Sequence, residues 1–204
     1  MKTERANIAV FISGSGSNLQ ALIDNSKSGK LSGDIVLVIS NKSKAFGLKR
    51  AQDAQIDTFV FKKKNYNSES EASEDLLKKL TERNIDYIAT AGYLQLLPVN
   101  VVQEYKNRIV NIHPALLPKF GGKGMYGKHV HEAVLEAGET ESGPTVHLVD
   151  EIYDNGQILE QIKIPVSGND TPETLAERVL EQEHILFSLA LDKLIKGKYE
   201  ITHG

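Results

Sequence analysis

The sequence predicts a three-layer α/β domain, a twisted and mostly parallel sheet with helices on both faces. Three observations carry this. Short apolar runs such as Asn7–Ser13 and Asp34–Ser40 lack the polar alternation of a half-exposed strand, so they read as strands buried on both faces. Segments with helical apolar spacing alternate with these runs, which implies crossover connections. Toward the C-terminus two strand-like segments flank a polar turn, which adds antiparallel strands there. Neither a repeat nor a Pro/Gly/Ser linker divides the 204 residues, so one domain is expected over 1–204.

Asn7–Ser13 (NIAVFIS) opens the sheet and runs into Gly-Ser-Gly-Ser-Asn. Residues 18–28 follow with Leu19, Leu22 and Ile23 on one helical face, and Gly29 supplies a stop. Asp34–Ser40 is the second strand, Ala45–Ala54 a helix and Thr58–Phe61 a short strand. Ser68 with Glu71 three residues on resembles a capping box, opening a helix to about Arg83. Tyr87–Ala91 is a strand, Pro98–Tyr105 a helix and Arg108–Ile112 a strand. Pro114–Lys128 holds four glycines and two prolines and reads as a long loop. His129–Ala137 is a helix ending at Gly138. Thr145–Val149 and Ile158–Ile164 are strands around the polar turn Asp150–Gln157. Thr171 and Pro172 form an N-cap and first-turn pair for a helix to about Ile195. Tyr199–Thr202 closes the prediction as a short strand.

Composition narrows the function. The net charge is −3, whereas duplex-binding domains usually carry a strong positive excess, so nucleic acid is not an expected partner. Small anions remain open, because backbone dipoles bind them whatever the net charge. The chain has no cysteine, which excludes disulfides and thiolate metal sites and fits a reducing cytoplasm. Residues 1–7 lack an apolar signal core, and no apolar run reaches the ~18 residues of a membrane span. A soluble cytoplasmic protein, monomer or homodimer, is expected.

Two loops and one strand carry the candidate chemistry. Gly16, Ser17 and Asn18 sit where a helix begins, with unpaired N–H groups and the positive end of the helix dipole. The dinucleotide fingerprint fails because Leu19 stands at its third glycine, and no acid closes the second strand at Ser40-Asn41-Lys42. The Walker pattern fails as well. A terminal phosphate monoester fits better, although an ordinary tight turn would also use these glycines. In Asn111-Ile112-His113-Pro114, the two polar residues lie two apart on a strand and project together from its carboxyl end. Asn111 can donate to a developing oxyanion, and His113 titrates near neutrality. Asp154, in Asp154-Asn155-Gly156, is either a turn former or the carboxylate that supports His113. In the second case it raises the imidazole pKa and makes a general acid available near pH 7.

These elements, in this order, resemble the phosphoribosylglycinamide formyltransferase family. The likeness runs from Ile8 to about Ile195. It includes Ile12-Ser13-Gly14-Ser15-Gly16-Ser17-Asn18-Leu19, Ser40-Asn41-Lys42, Ala91-Gly92-Tyr93-Leu94, Asn111-Ile112-His113-Pro114-Ala115-Leu116-Leu117-Pro118 and the stretch 143–158. The resemblance implies a Rossmann-like formyltransferase fold. It implies direct transfer of a formyl group from 10-formyltetrahydrofolate, as donor co-substrate and without a metal, to the amine of 5'-phosphoribosylglycinamide in purine biosynthesis. It gives Asn111, His113 and Asp154 the catalytic roles, and Gly16, Ser17 and Asn18 the substrate phosphate. Glu183 falls near the substrate amine; a solvated helix-surface residue is the bland reading. The folate cleft would involve Leu94, Gln95, Leu96 and Leu97, with Asn111, Asp150 and Asp154. Two departures stand out. Ser68-Glu69-Ser70-Glu71 occupies the stretch where relatives often carry an arginine near the folate, with Lys62-Lys63-Lys64 just upstream. The loop Lys119–Lys128 is longer than in some relatives and is a candidate lid.

Other readings were open on the residues. Formyltetrahydrofolate hydrolases and methionyl-tRNA formyltransferases share an Asn-x-His and a later Asp, but carry an additional N-terminal or C-terminal domain for which the expected single domain leaves no room. A nucleotide-sugar formyltransferase is disfavoured by the phosphate loop. A non-catalytic phosphate or folate binder would not need His113 and Asp154 to converge. A metal hydrolase built on His129-Val130-His131 is disfavoured because helix positions two apart face different ways.

Overall fold

Alternation along the first strand divides the core in two. In β1 (Ala6–Ile12), Ile8, Val10 and Ile12 face one side of the sheet while Ala9 and Phe11 face the other, all with no solvent exposure. A strand covered on both faces has no use for polar residues, which is why this segment reads as an unbroken apolar run.

The computed structural model describes residues 5–202. After β1 come α1 (Ser17–Lys27), β2 (Gly33–Ser40), α2 (Phe46–Asp53), β3 (Asp57–Val60), a 3-10 turn at Lys63–Asn65 and α3 (Glu69–Thr81). Then follow β4 (Tyr87–Thr90), α4 (Val99–Glu104), β5 (Ile109–His113), α5 (Lys128–Glu136), β6 (Glu141–Ser142), β7 (Thr145–Leu148), β8 (Ile158–Gln161), β9 (Ile164–Pro165) and α6 (Pro172–Ile195). Seven strands form one sheet in the order β3-β2-β1-β4-β5-β7-β8. The first five are parallel; β7 runs antiparallel to β5, and β8 antiparallel to β7. The predicted three-layer fold, with antiparallel strands confined to the C-terminal part, is what the chain adopts.

Residues of α1, α2 and α6 cover one face with Leu19, Leu22, Leu48, Phe187 and Leu191, and α3 and α4 cover the other with Leu76, Leu80 and Val101. Ser68 accepts the Glu71 N–H at 3.1 Å, and the Glu71 carboxylate returns to the Asn67 N–H at 2.9 Å, so the predicted cap at α3 forms one residue wider than a strict box. Thr171 and Thr174 cap each other reciprocally ahead of α6. No helix among the described residues is long and apolar enough to cross a membrane.

Three predicted elements need correction. Tyr199–Thr202 is not a strand: Gln157 holds it by side chain, accepting from the Thr202 N–H at 3.0 Å and donating to the Glu200 carbonyl at 2.9 Å. Those bonds satisfy the segment without a ladder. Ile158–Ile164 is not one strand either. It leaves the main sheet after Gln161, and Ile164–Pro165 pairs with β6, an edge position where proline's missing N–H costs nothing. Finally α5 starts at Lys128, so the preceding loop is 114–127.

Candidate active site

The strand order reverses between β1 and β4, and in open α/β sheets ligands bind outside the strand carboxyl ends at such a point. Ser13, just past β1, ties the surrounding loops together. Its hydroxyl donates to Asn41 Oδ1 at 2.7 Å and accepts the Leu94 N–H at 3.0 Å, joining the segments after β2 and β4.

On one side of this point lies the glycine loop. Gly16 is the N-cap of α1, in left-handed conformation at φ 71°, with no side-chain cap on the helix N-terminus. A Cβ on Gly16 would lie 2.6 Å from Gly47 Cα, so glycine is required both for the turn and for close approach of α2. Arg50 clasps the loop, its Nε donating to the Ser15 carbonyl at 2.9 Å and its guanidinium stacking 5.0 Å from the Phe46 ring centroid. Ser17 is half-buried and Asn18 buried. Asn18 Nδ2 donates one of its two hydrogens to Glu183 Oε2 at 2.6 Å. Glu183 itself is only 8% exposed, not a solvated helix residue, and burial raises its pKa against the opposing Asn18 hydrogen bond. Asn18 Oδ1 is buried without a hydrogen-bond partner.

On the other side, β5 and β7 pair Asn111 directly with His147. Asn111 Nδ2 lies 3.0 Å from His147 Nε2 and 3.4 Å from Asp154 Oδ1, while Asn111 Oδ1 accepts from the Thr90 hydroxyl at 2.7 Å. A carboxylate only accepts, so the amide must present its N–H side to Asp154. Asp154 sits at φ 53°, a left-handed conformation that aspartate tolerates better than most residues, and this turns its carboxylate inward. Its Oδ2 accepts the Gly122 N–H at 2.9 Å and lies 3.5 Å from His113 Nδ1; its Oδ1 lies 3.4 Å from His147 Nε2. Asn111, His113 and Asp154, dispersed in sequence, are thus neighbours at the end of β5.

The electrostatics of His113 differ from expectation. Burial lowers its pKa and outweighs the nearby Asp154 charge, which acts upward. The side chain is 3% exposed, so a charged imidazolium loses most of its hydration. Its Nε2 lies 2.8 Å from the Phe120 carbonyl, which can only accept, so Nε2 carries the proton and Nδ1 is the titrating nitrogen facing Asp154. For Asp154, burial acts upward on the pKa but is outweighed by His147, His113 and the Gly122 N–H, and the carboxyl stays below its usual range.

The loop 114–127 lies over this cluster. Phe120 and Gly122 supply the two backbone contacts just described. A Cβ on Gly121 would meet Leu117 Cδ2 at 2.6 Å and Asp154 Cβ at 3.2 Å, so a larger residue would push both side chains aside. Of the cleft residues, Gln95, Leu96, Leu97, Asn111 and Asp154 line one narrow cavity with Tyr153. Leu94 lies outside that lining, where its N–H holds Ser13. Asp150 shapes the turn, accepting from the Ile152 N–H at 2.8 Å and Asn155 Nδ2 at 2.9 Å. The cavity measures about 70 Å³, small beside the ~300–1,000 Å³ usual for ligand sites. His129 and His131 separate: His129 is exposed beside Glu132, and His131 is 4% exposed.

The sequence model of the formyl transferase family matches residues 6–191. The chain is 39% identical to the phosphoribosylglycinamide formyltransferase of Haemophilus influenzae, over 95% of its own length and 89% of that protein's. The chain belongs to the phosphoribosylglycinamide formyltransferase family. Among solved structures of this family, that of the Brucella melitensis protein superposes with a TM-score of 0.87 at 43% identity, covering 98% of this chain and all of the other. The chloroplastic phosphoribosylglycinamide formyltransferase of Arabidopsis thaliana is 47% identical over 90% of this chain. The chain spans less than two thirds of the length of the plant relatives it matches, 63% and 62%.

Two residues at the site carry no role in the sequence reading. His147 was within reach: setting β7 antiparallel to β5 in register places it opposite Asn111. Arg50 had no such signal. It lies on the exposed side of an amphipathic helix, and only the tertiary approach of α2 to the glycine loop brings it there.

Proposed function

We propose that this chain transfers the formyl group of 10-formyltetrahydrofolate to the amine of 5'-phosphoribosylglycinamide, a step of purine biosynthesis. The observation that carries the reading is the convergence of Asn111, His113 and Asp154 across the strand-order reversal from an uncapped helix N-terminus. The Gly16–Asn18 amides, backed by Arg50, suit a phosphate monoester. Glu183 would face the substrate amine, held by Asn18.

The amine nitrogen attacks the formyl carbon, and the carbonyl oxygen becomes an oxyanion to which Asn111 Nδ2 donates. The amine proton passes to neutral His113 and then to N10 as the carbon–N10 bond breaks. Asp154 offsets the positive charge the imidazole holds in between. A histidine with a lowered pKa suits this order, because it is a free base near pH 7 and takes up the proton only as the reaction releases one. Ile152, Tyr153 and Asp154, from the turn after β7, wall the cleft that the folate ring would enter. The cysteine-free sequence supports a reducing compartment such as the cytoplasm.

The test mixes protein, 10-formyltetrahydrofolate and 5'-phosphoribosylglycinamide, and follows folate absorbance. Acceptor-dependent turnover is expected. Turnover of equal rate without acceptor would make the protein a hydrolase, and no turnover with either would defeat the reading.

A further inference from the structure

Asn155-Gly156 follows Asp154 directly and is the one Asn-Gly pair in the sequence. Asparagine before glycine carries a reaction of its own. The backbone nitrogen of the next residue can close a five-membered ring on the side-chain amide carbon, and glycine brings no Cβ to obstruct that approach. The ring closes where the side chain is accessible and the attacking N–H is not held in a hydrogen bond. Asn155 is exposed and lies outside any helix or strand. The Gly156 N–H makes no hydrogen bond among the described residues.

The pair sits between two anchored points. On one side Asp154 accepts the Gly122 N–H at 2.9 Å and lies 3.5 Å from His113. On the other, the Gln157 carbonyl accepts the Leu148 N–H at 2.8 Å, just ahead of β8. Gly156 is seated on the same strand: a Cβ there would lie 1.9 Å from the Leu148 carbonyl oxygen. Asn155 Nδ2 donates to Asp150 Oδ2 at 2.9 Å, a bond that closes the turn. With Gly156 and Gln157 set against β7, extra main-chain length entering after residue 155 pushes back through the turn to Asp154.

We propose that Asn155 is a site of spontaneous deamidation that inactivates the protein by displacing Asp154. The Gly156 nitrogen bonds to Asn155 Cγ. The Cγ–Nδ2 bond breaks, and Nδ2 leaves as ammonia with the proton that Gly156 gives up. The product is a cyclic imide, and one water then adds to either of its carbonyls. Opening at Cγ leaves aspartate at 155. Opening at the main-chain carbonyl leaves isoaspartate, whose chain runs through the former side chain and is one methylene longer. No electrons are transferred, and water is the co-reactant. Both products put a carboxylate opposite Asp150, so like charges replace a hydrogen bond. The isoaspartate also lengthens the chain beside Asp154, and a misplacement of ~1 Å at a reacting centre costs about 10²-fold in rate. The loss of turnover rests on the formyl-transfer reading above; the modification does not.

The experiment incubates the wild type and N155Q at mildly alkaline pH, which speeds removal of the Gly156 proton. Peptide mass spectrometry, with fragmentation that separates aspartate from isoaspartate, follows position 155. Glutamine keeps an amide but has to close a larger ring, which is much slower. Asn155 is expected to convert ahead of Asn25 and Asn67, each of which precedes a serine. Wild-type kcat falls in step with isoaspartate, by about 10²-fold in the converted fraction, while N155Q stays at its own starting value. N155D, which adds the charge without the length, loses less than the isoaspartate form. The His113 ring resonances shift in the isoaspartate form whether or not the chain transfers formyl groups. An inactive starting preparation would thus defeat the functional reading and leave this inference to mass and resonance. Conversion of Asn155 no faster than that of Asn25 and Asn67 overturns it. So does isoaspartate that accumulates in an active preparation without loss of kcat, or in an inactive one without a shift at His113. Equal rates of activity loss in wild type and N155Q overturn it as well.

Discussion

The two halves of the site are built from different material. The half proposed to receive the acceptor rests on regular structure: the α1 N-terminus, Gly47 of α2, and Glu183 in the middle of the 24-residue α6. Its polar groups are joined by a short buried bond, Asn18 to Glu183 at 2.6 Å. The half proposed to receive the donor rests largely on loops: the segment after β4, the glycine-rich 114–127 and the turn after β7. Thr90, Asn111, His113 and His147 there belong to strands. The contrast shows where preorganisation is affordable. On the proposed reading, a phosphate and an amine of fixed shape would be met by a rigid seat, and the folate ring by loops that can adjust around it.

Disabling the chemistry is the most severe way to test this division. His113→Ala or Asp154→Asn is expected to lower kcat by about 10²–10⁴-fold, the usual contribution of a positioned acid–base group, with little change in the circular-dichroism melt. Wild-type turnover in either variant would leave the donor half without its proposed chemistry. Next, Asn18→Ala strips Glu183 of its partner. Leaving a buried polar group unsatisfied costs ~1–3 kcal/mol, so the KM for the ribosyl-phosphate substrate should rise about tenfold while the folate KM stays nearly constant. Equal effects on both would erase the proposed separation. Gly121→Ala tests the loop side: its methyl crowds Leu117 and Asp154, and the folate KM should rise about fivefold, the low end of overpacking costs at ~1 kcal/mol.

The smallest effect is on stability. Burial holds the Glu183 pKa above its ordinary 4.5, so the folded state favours the protonated acid. Its contribution is fully present below pH 4.5 and is lost as pH rises through the folded-state pKa. Glu183→Gln removes that loss. The variant should melt ~2–4 °C higher than wild type at pH 8, the shift about 1 kcal/mol gives in a domain of this size, and no higher at pH 4. A wild-type advantage at pH 8 would mean the carboxylate is stabilised by groups beyond Asn18.

What the sequence revealed follows the same division. Buried strands and capped helices were legible because burial on two faces and backbone capping leave local signatures: the run Ala6–Ile12 and the pair Thr171 and Pro172 are examples. The residues that converge were legible as types, since Asn111 and His113 share a strand face. Their electrostatics were not. The sequence shows a carboxylate available to His113 but not that the imidazole is 3% exposed, and burial reverses the direction of the shift. Glu183 read as a surface residue from its type alone, although Val179, Leu186 and Phe187 at helical spacing put it on the buried face. The placement of β9 in a second sheet is not legible in the sequence because two-residue strands are too short for periodicity to register.

Thr90 has a consequence for what position 111 can become. Its hydroxyl occupies one branch of the Asn111 amide and the Asp154 carboxylate faces the other. A replacement would have to offer opposite hydrogen-bonding polarity on two prongs at the same reach from the backbone. Aspartate would set like charges face to face, leucine would leave the hydroxyl only its longer bond to the Val110 carbonyl, and glutamine would overshoot by a methylene. Drift at this site is therefore narrowed by Thr90, its neighbour on β4.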